Sequence, residues 1–253
     1  YKTLVFPGLI KDPSAPISSD GNRYRALYPA RYSVEDLIER KVEIGPVGFS
    51  REILCKPITN DMSLFPSNLF VDGVMATYLK WQPSLRQIEE WGWSIYVGVD
   101  LAISASAGAD YTVVTVLAED YDGNKYVIDS VRSKGKSFSE QKQNILDINA
   151  RYQPLLIVIE DNQMQRIFGD ELIRTSAAPV KKFTTGAANK NNFASGVPSL
   201  RVLLENKKLR FARGDEAAIN GTNPYIEELS NFGWINGKLQ GAGAHDDCVM
   251  SLW

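Results

Sequence analysis

The sequence predicts an α/β fold: a mixed central sheet flanked by helices, preceded by an irregular connector. Three observations predict it. Apolar runs at Ile95–Val99 and Leu155–Ile159 read as strands covered on both faces. The turn Asp122-Gly123-Asn124 separates the strand-like segments Tyr111–Leu117 and Tyr126–Val131, so the first three strands meander antiparallel. Ile145, Ile148 and Tyr152 stand at helical spacing before the fourth strand, which therefore arrives through a crossover.

Residues 1–90 are rich in proline and turn residues (Pro7, Pro13, Pro16, Pro29, Pro46, Pro57, Pro66, Pro83) and read as a connector wrapped on something larger. One helix is expected there. Ser33 caps it with Asp36 three residues on, Val34, Leu37, Ile38 and Val42 share a face, and Gly45-Pro46 ends it. Residues 91–253 form the regular domain. Its first strand is Ile95–Leu101. Ser139 is expected to cap a helix to Tyr152, and Leu155–Glu160 is the fourth strand. A helix over 165–175, a strand Val180–Phe183, a helix Pro198–Asn206 and a strand Leu209–Phe211 follow. Pro224 marks the first turn of a helix to Asn231. Asn236-Gly237 joins a hairpin, and a closing helix starts near Asp246.

The chain has 253 residues, 44% hydrophobic and 23% charged, with a formal net charge of -2. That composition fits a folded protein and excludes a uniformly basic nucleic-acid binder, though not a local basic patch. Cys55 and Cys248 form no CxxC pair, which argues against a zinc ribbon or disulfide scaffold; both read as free buried thiols in a reducing compartment. No apolar run approaches a membrane span, and no signal peptide is legible. The chain starts at Tyr1 without Met and stops at Trp253 inside an apparent helix, so further material is expected at both ends. Trp81, Trp91 and Trp93 read as packing residues near the domain junction.

The chemistry lies in carboxylates at strand ends. Asp100 ends the first strand, Glu160 ends the fourth, and Asp246 and Asp247 open the last helix. An acid ending an apolar strand is poorly solvated and costs free energy unless paired or metal-bound. In α/β sheets ligands gather at the carboxyl ends of the strands. If the first and fourth strands are neighbours, Asp100 and Glu160 converge, and the last helix brings Asp246 or Asp247 to the same point. Oxygen donors of this kind suit Mg2+ at ~2.0–2.1 Å. Two ions ~3.5–4 Å apart can clamp an in-line phosphoryl displacement. Each acid alone also fits a cap or turn role, Asp246 and Asp247 in particular as helix-start residues.

A second feature is a basic stretch. Residues 181–213 carry Lys181, Lys182, Lys190, Arg201, Lys207, Lys208, Arg210 and Arg213 against one acid, Glu205. A positive strip beside a carboxylate site fits duplex DNA, and equally a solvated surface. The loop Thr184–Ser195 around Lys190 reads as mobile and substrate-ordered, or as a plain surface loop. The hairpin at Asn236-Gly237 is open to DNA contact or plain structure. His245, the single histidine, either orients water or phosphate or is a bystander.

The segments YVGVDLAISASAGADYTVVTV, LIVIEDN and GAHDDCVMSLW resemble the nuclease domain of viral large terminases, which has a ribonuclease H-like fold. The upstream stretch YRALYPARYSVEDLIERKVEIGPVGFSREILCKP resembles the end of the terminase ATPase domain and its linker. The resemblance implies a connector over 1–90 and a nuclease over 91–253. It implies metal ligands at Asp100, Glu160 and Asp246 or Asp247, with Asp110 of "ADYT" at a secondary acidic position that reads equally as a loop acid. It implies two Mg2+ or Mn2+ ions and cleavage of concatemeric double-stranded DNA during packaging. The full-length protein would meet a portal and a small terminase subunit in the host cytoplasm, without a membrane. No GxxxxGK[ST] loop is present, so no ATPase is expected from these residues alone. The rivals are a resolvase or transposase of the same fold, a non-catalytic DNA-binding module, and a sugar-kinase-like or actin-like ATPase. The last would need phosphate-binding glycine loops and a duplicated domain, neither of which is found.

Overall fold

The structure is a computed structural model that describes residues 6–19, 21–55, 63–102, 110–161, 164–235, 237–242 and 245–253. In chain order its elements are β1 (Leu9–Lys11), β2 (Tyr24–Ala26), α1 (Val34–Glu52), a 3-10 turn Ser67–Leu69, β3 (Met75–Ala76), α2 (Leu85–Trp91), β4 (Ser94–Asp100), β5 (Thr112–Glu119), β6 (Lys125–Ser133), α3 (Phe138–Tyr152), β7 (Leu156–Glu160), α4 (Met164–Thr175), β8 (Val180–Phe183), α5 (Ala187–Lys190), α6 (Val197–Glu205), β9 (Leu209–Ala212), α7 (Glu216–Ser230), β10 (Phe232–Ile235), β11 (Lys238–Gly241) and α8 (Asp247–Leu252).

Seven strands form the central sheet in the order β3-β9-β6-β5-β4-β7-β8. The meander β4-β5-β6 is antiparallel, and β7 enters parallel to β4 after α3. Because β8, β9 and β3 join in parallel, β5 alone runs against the other six. The expected mixed sheet is present. Side-chain alternation divides two cores. Ile95, Val97, Val99, Val114, Val116, Ile157 and Ile159 pack with Ile145, Ile148 and Tyr152 of α3 and Phe168 and Leu172 of α4. Val113 and Val127 pack with Tyr225, Leu229, Cys248, Val249 and Leu252. The strands at the site are therefore not covered evenly. Along β4, Tyr96, Gly98 and Asp100 face a cavity, while Ile95, Val97 and Val99 are buried.

Local sequence sets most element ends. Ser84 with Gln87 and Ser137 with Glu140 form reciprocal capping boxes at α2 and α3, and Gly92 stops α2 in a left-handed conformation. The cap of α3 is thus Ser137, not Ser139; Glu140 lies three residues after Ser137 and closes the box. Two proline readings are corrected by burial. The α1 backbone continues past Gly45-Pro46 to Glu52, because the next turn buries Phe49 against the core. In α7, Pro224 lies inside the helix, which starts at the Asp215 cap. Ala218, Thr222, Tyr225 and Leu229 bury one stripe of that helix, and this outweighs the roughly 3 kcal/mol proline cost.

The upstream residues pack onto the same core. Leu9, Ala26, Leu37, Ile38, Leu64, Phe65 and Val74 join the α8-side cluster, and β3 adds an edge strand. The hairpin β10-β11 is present, with Gly237 at positive φ; Asn236 lies outside the described residues. The hairpin's neighbour is Ser63–Phe65, through Leu64 N–H to the Phe232 carbonyl at 2.8 Å. Trp93 stacks on Tyr126 at 4.6 Å and touches Trp91 at 4.7 Å, as packing residues do. Cys248 is buried but Cys55 is exposed, correcting the expectation that both thiols are buried. Among the described residues no helix is long and apolar enough to cross a membrane.

Candidate active site

β4 and β7 pair in register, Gly98 with Val158 and Val99 with Ile159. The same register sets Asp100 beside Glu160, one strand spacing of about 4.8 Å away and on the same face. Both side chains line a cavity of about 330 Å³, whose other walls include Gly98, Thr115, Phe183, Ser195 and Trp253. The chain just beyond Asp100 is held by two buried amides. Gln165 donates to the Leu101 carbonyl at 2.9 Å and Gln141 to the Ala102 carbonyl at 3.2 Å.

α8 completes the site. It lies directly on β4 and β5, where Gly98 leaves room for the Ser251 carbonyl. Its first residue, Asp247, is 6% exposed and accepts a hydrogen bond from the Tyr111 N–H at 3.0 Å. Asp246 occupies the cap position, but its carboxylate caps nothing and faces Lys190 Nζ at 3.6 Å. The helix-cap reading of Asp246 therefore fails.

Burial first, then the charges of Glu160, Asp247, Asp246 and Asp110, push the Asp100 carboxyl up to about 8. The acids expected from the sequence thus share one electrostatic site. Burial also pushes Asp247 up to about 6; the Tyr111 hydrogen bond opposes this, and Asp110 and Glu228 reinforce it. Clustered carboxylate oxygens of this kind are the donor set that suits a hard divalent ion.

Asp110, His245 and Asp247 bring ligand-type atoms within 4.8 Å of one another. His245 Nδ1 is buried and stands 3.6 Å from carboxylate oxygens of both Asp110 and Asp247. Its Nε2 meets Lys134 Nζ at 3.3 Å. An ammonium only donates, so Nε2 accepts in this contact. His245 thus stands beside two of the acids, where either of its readings remains a matter of function.

The family model of the terminase RNaseH-like domain matches residues 97–252, a span that contains every one of these acids. The chain belongs to this family. Solved structures agree on the fold of the terminase domain. The large terminase nuclease from thermophilic phage G20c is 19% identical with a TM-score of 0.53, covering 75% of this chain and 95% of that one. The same G20c nuclease with bound magnesium is 20% identical, with a TM-score of 0.53, over 78% and 96% of the two chains. The Thermus phage P74-26 large terminase nuclease domain is 20% identical with a TM-score of 0.53, over 76% and 92%. Comparison with curated protein sequences finds no match.

The basic stretch of this terminase domain does not form one strip. Lys181 and Lys182 lie on β8 at one sheet edge, whereas Arg210 lies on β9, five strand spacings or roughly 24 Å across the sheet. Register also puts Arg210 opposite Tyr126, at the end of the sheet away from Asp100. Lys208 and Arg210 there hold the Asp122–Asn124 turn, through the Asp122 carbonyl at 2.7 Å and Asn124 Oδ1 at 3.3 Å; Arg210 also bonds the Lys207 carbonyl at 2.9 Å. Arg201 pairs with Glu205 and bonds the Leu64 carbonyl at 2.9 Å, and Arg213 bonds Asn223 at 2.7 Å. Lys182 is neutralised by Asp170 at 2.6 Å. Of the eight, Lys190 alone is salt-bridged to a site carboxylate, and Lys181 and Lys182 lie near that end. The segment around Lys190 is organised as the one-turn helix α5, with Asn189 Oδ1 accepting from the Gly186 N–H.

The site also uses residues that carried no flag in the sequence. Tyr111 lies under Arg132 at 3.4 Å and Lys134 at 4.3 Å from its ring centroid, and its ring meets His245 edge-on at 4.9 Å. The alternating cations Arg132, Lys134 and Lys136 at the end of β6 were the available signal.

Proposed function

We propose that this domain is the metal-dependent endonuclease of a phage large terminase, cutting concatemeric double-stranded DNA during packaging. The observation that carries this reading is the register of Asp100 and Glu160 on adjacent strands, facing the N-terminus of α8, in a chain of the terminase family.

The residues fit divalent ions. They offer carboxylate oxygens, hard donors suited to Mg2+ or Mn2+, and Asp100 is driven toward its protonated form by burial first and then by neighbouring acid charges that a cation would offset. Asp100, Glu160 and Asp247 would hold the ions. Asp246, already turned to Lys190, serves as the outer member of the pair, and Asp110 stands at the rim. When bound, the ions would activate water and offset charge on the leaving oxygen in an in-line displacement. The protein's own groups do the rest. Asp100 and Glu160 fix the reacting centre on rigid strands. His245 Nδ1 stands 3.6 Å from carboxylate oxygens of both Asp110 and Asp247. Lys134, Lys190 and Lys181 meet the backbone phosphates as point charges, with no base reading. Lys182, Arg201, Lys207, Lys208, Arg210 and Arg213 take part at most in long-range attraction.

Residues 1–90 are assigned as the end of an ATPase domain and its linker, and residues 91–253 as the nuclease. In the full-length protein a portal and a small terminase subunit are the partners, and the host cytoplasm is the place of action. The test is plasmid cleavage with Mg2+ or Mn2+, comparing the parent with Asp100→Ala and Glu160→Ala. Loss of cutting in the folded variants supports the reading; full cutting contradicts it. Salt-sensitive DNA binding by a parent that never cuts would point to a packaging module, and cutting of four-way junctions alone to a resolvase.

A further inference from the structure

A six-residue helix presents Asp247, and that helix has no side-chain cap of its own. The first N–H groups of a helix lack internal partners. The Cys248 N–H finds one on another element: Glu228 Oε2, from the last turn of α7, accepts it at 2.7 Å. Glu228 is 7% exposed. A buried carboxylate needs a countercharge, and Glu228 Oε1 meets Arg132 Nη2 at 3.3 Å. The Arg132 guanidinium lies over the Tyr111 ring at 3.4 Å. The Tyr111 N–H donates to Asp247 Oδ2 at 3.0 Å. The chain of contacts is closed. It starts at the backbone of α8 one residue after Asp247 and returns to the Asp247 carboxylate.

We propose that Glu228 is a positioning residue for Asp247, fixing the helix start directly and the carboxylate through Arg132 and Tyr111. This rests on the reading of Asp247 as a metal ligand. Both Glu228 oxygens are engaged at the junction of α7, β6 and α8, one by the Cys248 N–H and the other by Arg132, so it acts on Asp247 through these neighbours. Its effect is on where the Asp247 oxygens stand, and ligand geometry within a few tenths of an ångström decides divalent affinity. A purely structural Glu228–Arg132 pair would instead set the stability of the α7–β6 contact and leave the metal site as it is.

The experiment measures Mn2+ affinity by calorimetry alongside kcat and KM for DNA cleavage. Glu228→Leu, which removes both acceptors, should weaken Mn2+ binding about tenfold or more and lower kcat similarly, with KM for DNA within about twofold. Glu228→Gln, which keeps an oxygen for the Cys248 N–H, should recover most of the affinity. Parent-like Mn2+ affinity in a folded Glu228→Leu protein, whatever its melting temperature, overturns the proposal. Should Glu228→Leu not fold, Arg132→Lys decides: it keeps the charge but loses the planar stack, and unchanged Mn2+ affinity there also overturns the proposal. Asp247→Asn, run in parallel, separates the two readings. Weak Mn2+ binding in Asp247→Asn with normal binding in Glu228→Leu sinks the positioning role alone; normal binding in Asp247→Asn sinks the ligand assignment and the positioning role with it.

Discussion

A side chain at Gly98 would collide with the carbonyl oxygen of Ser251. This close approach lets α8 lie flat on β4 and β5, and it sets how far Asp247 reaches toward Asp100. Below it, Thr115 Oγ1 bonds Tyr225 at 2.6 Å and Ser251 Oγ at 2.7 Å, so the helix is fixed by a buried polar network as well as by contact. Gly98→Ala should cost about 1–3 kcal/mol by overpacking. For a chain of this size that is about 2–4 °C of Tm per kcal/mol, read by calorimetry. The cleavage rate should fall by more than the folded fraction does.

Asp100→Asn should abolish cutting, by about 10³-fold or more, because the ion clamp it anchors contributes several kcal/mol to the transition state. The metal-free protein should not be destabilised, since a carboxyl held against four other acids gives way to a neutral amide. Plasmid cleavage and thermal unfolding check the two halves separately.

Stability without metal should fall as pH rises. Asp100 is pushed up to about 8 in the folded protein, against 3.8 ordinarily, and Asp247 to about 6. Between these values the folded state holds protons that the unfolded chain has released, so stability is full below about 4 and is lost progressively up to pH 8. Asp100→Asn should flatten the upper part of this slope. Melting curves across pH 4–9 in chelator check it.

Divalent binding should show the opposite trend. An ion must displace the protons on Asp100 and Asp247, so Mn2+ affinity should rise between pH 6 and 8 by up to about tenfold per unit per proton released. Calorimetry in buffers of different ionisation enthalpy counts the protons.

Much of this site was legible in the sequence, because the strands and their terminal acids follow from local patterns. The apolar runs ending in Asp100 and Glu160, the turn at Gly123 and the helix before β7 give the strands and the crossover, while the pairing of β7 with β4 is seen only in the structure. What was not legible depends on long-range burial. Pro224 reads as a helix start until Thr222, Tyr225 and Leu229 are seen buried on both sides of it. Asp246 and Asp247 look interchangeable in a row; only packing turns one toward Tyr111 and the other toward Lys190. The run from Lys181 to Arg213 is one stretch of chain but spans from the β8 edge to β9 on the far side of the sheet. Glu228 and Arg132 matter through contacts to residues 20 and 96 positions away respectively, which no local pattern encodes.

DNA affinity should follow position in space and not position in sequence. Lys134→Ala and Lys190→Ala should weaken duplex binding and each lower the salt dependence by about one phosphate's worth, ~0.9 in slope. Lys207→Ala and Arg210→Ala, at the far end of the sheet, should leave both unchanged within error. Fluorescence anisotropy at several salt concentrations distinguishes them.

The most direct test of the central claim is a crystal structure with Mn2+ located by anomalous scattering. The account predicts ions within about 2.0–2.3 Å of oxygens from Asp100, Glu160 and Asp247 together. An ion held by Asp110, His245 and Asp247 alone, with Asp100 and Glu160 unbound, would contradict it.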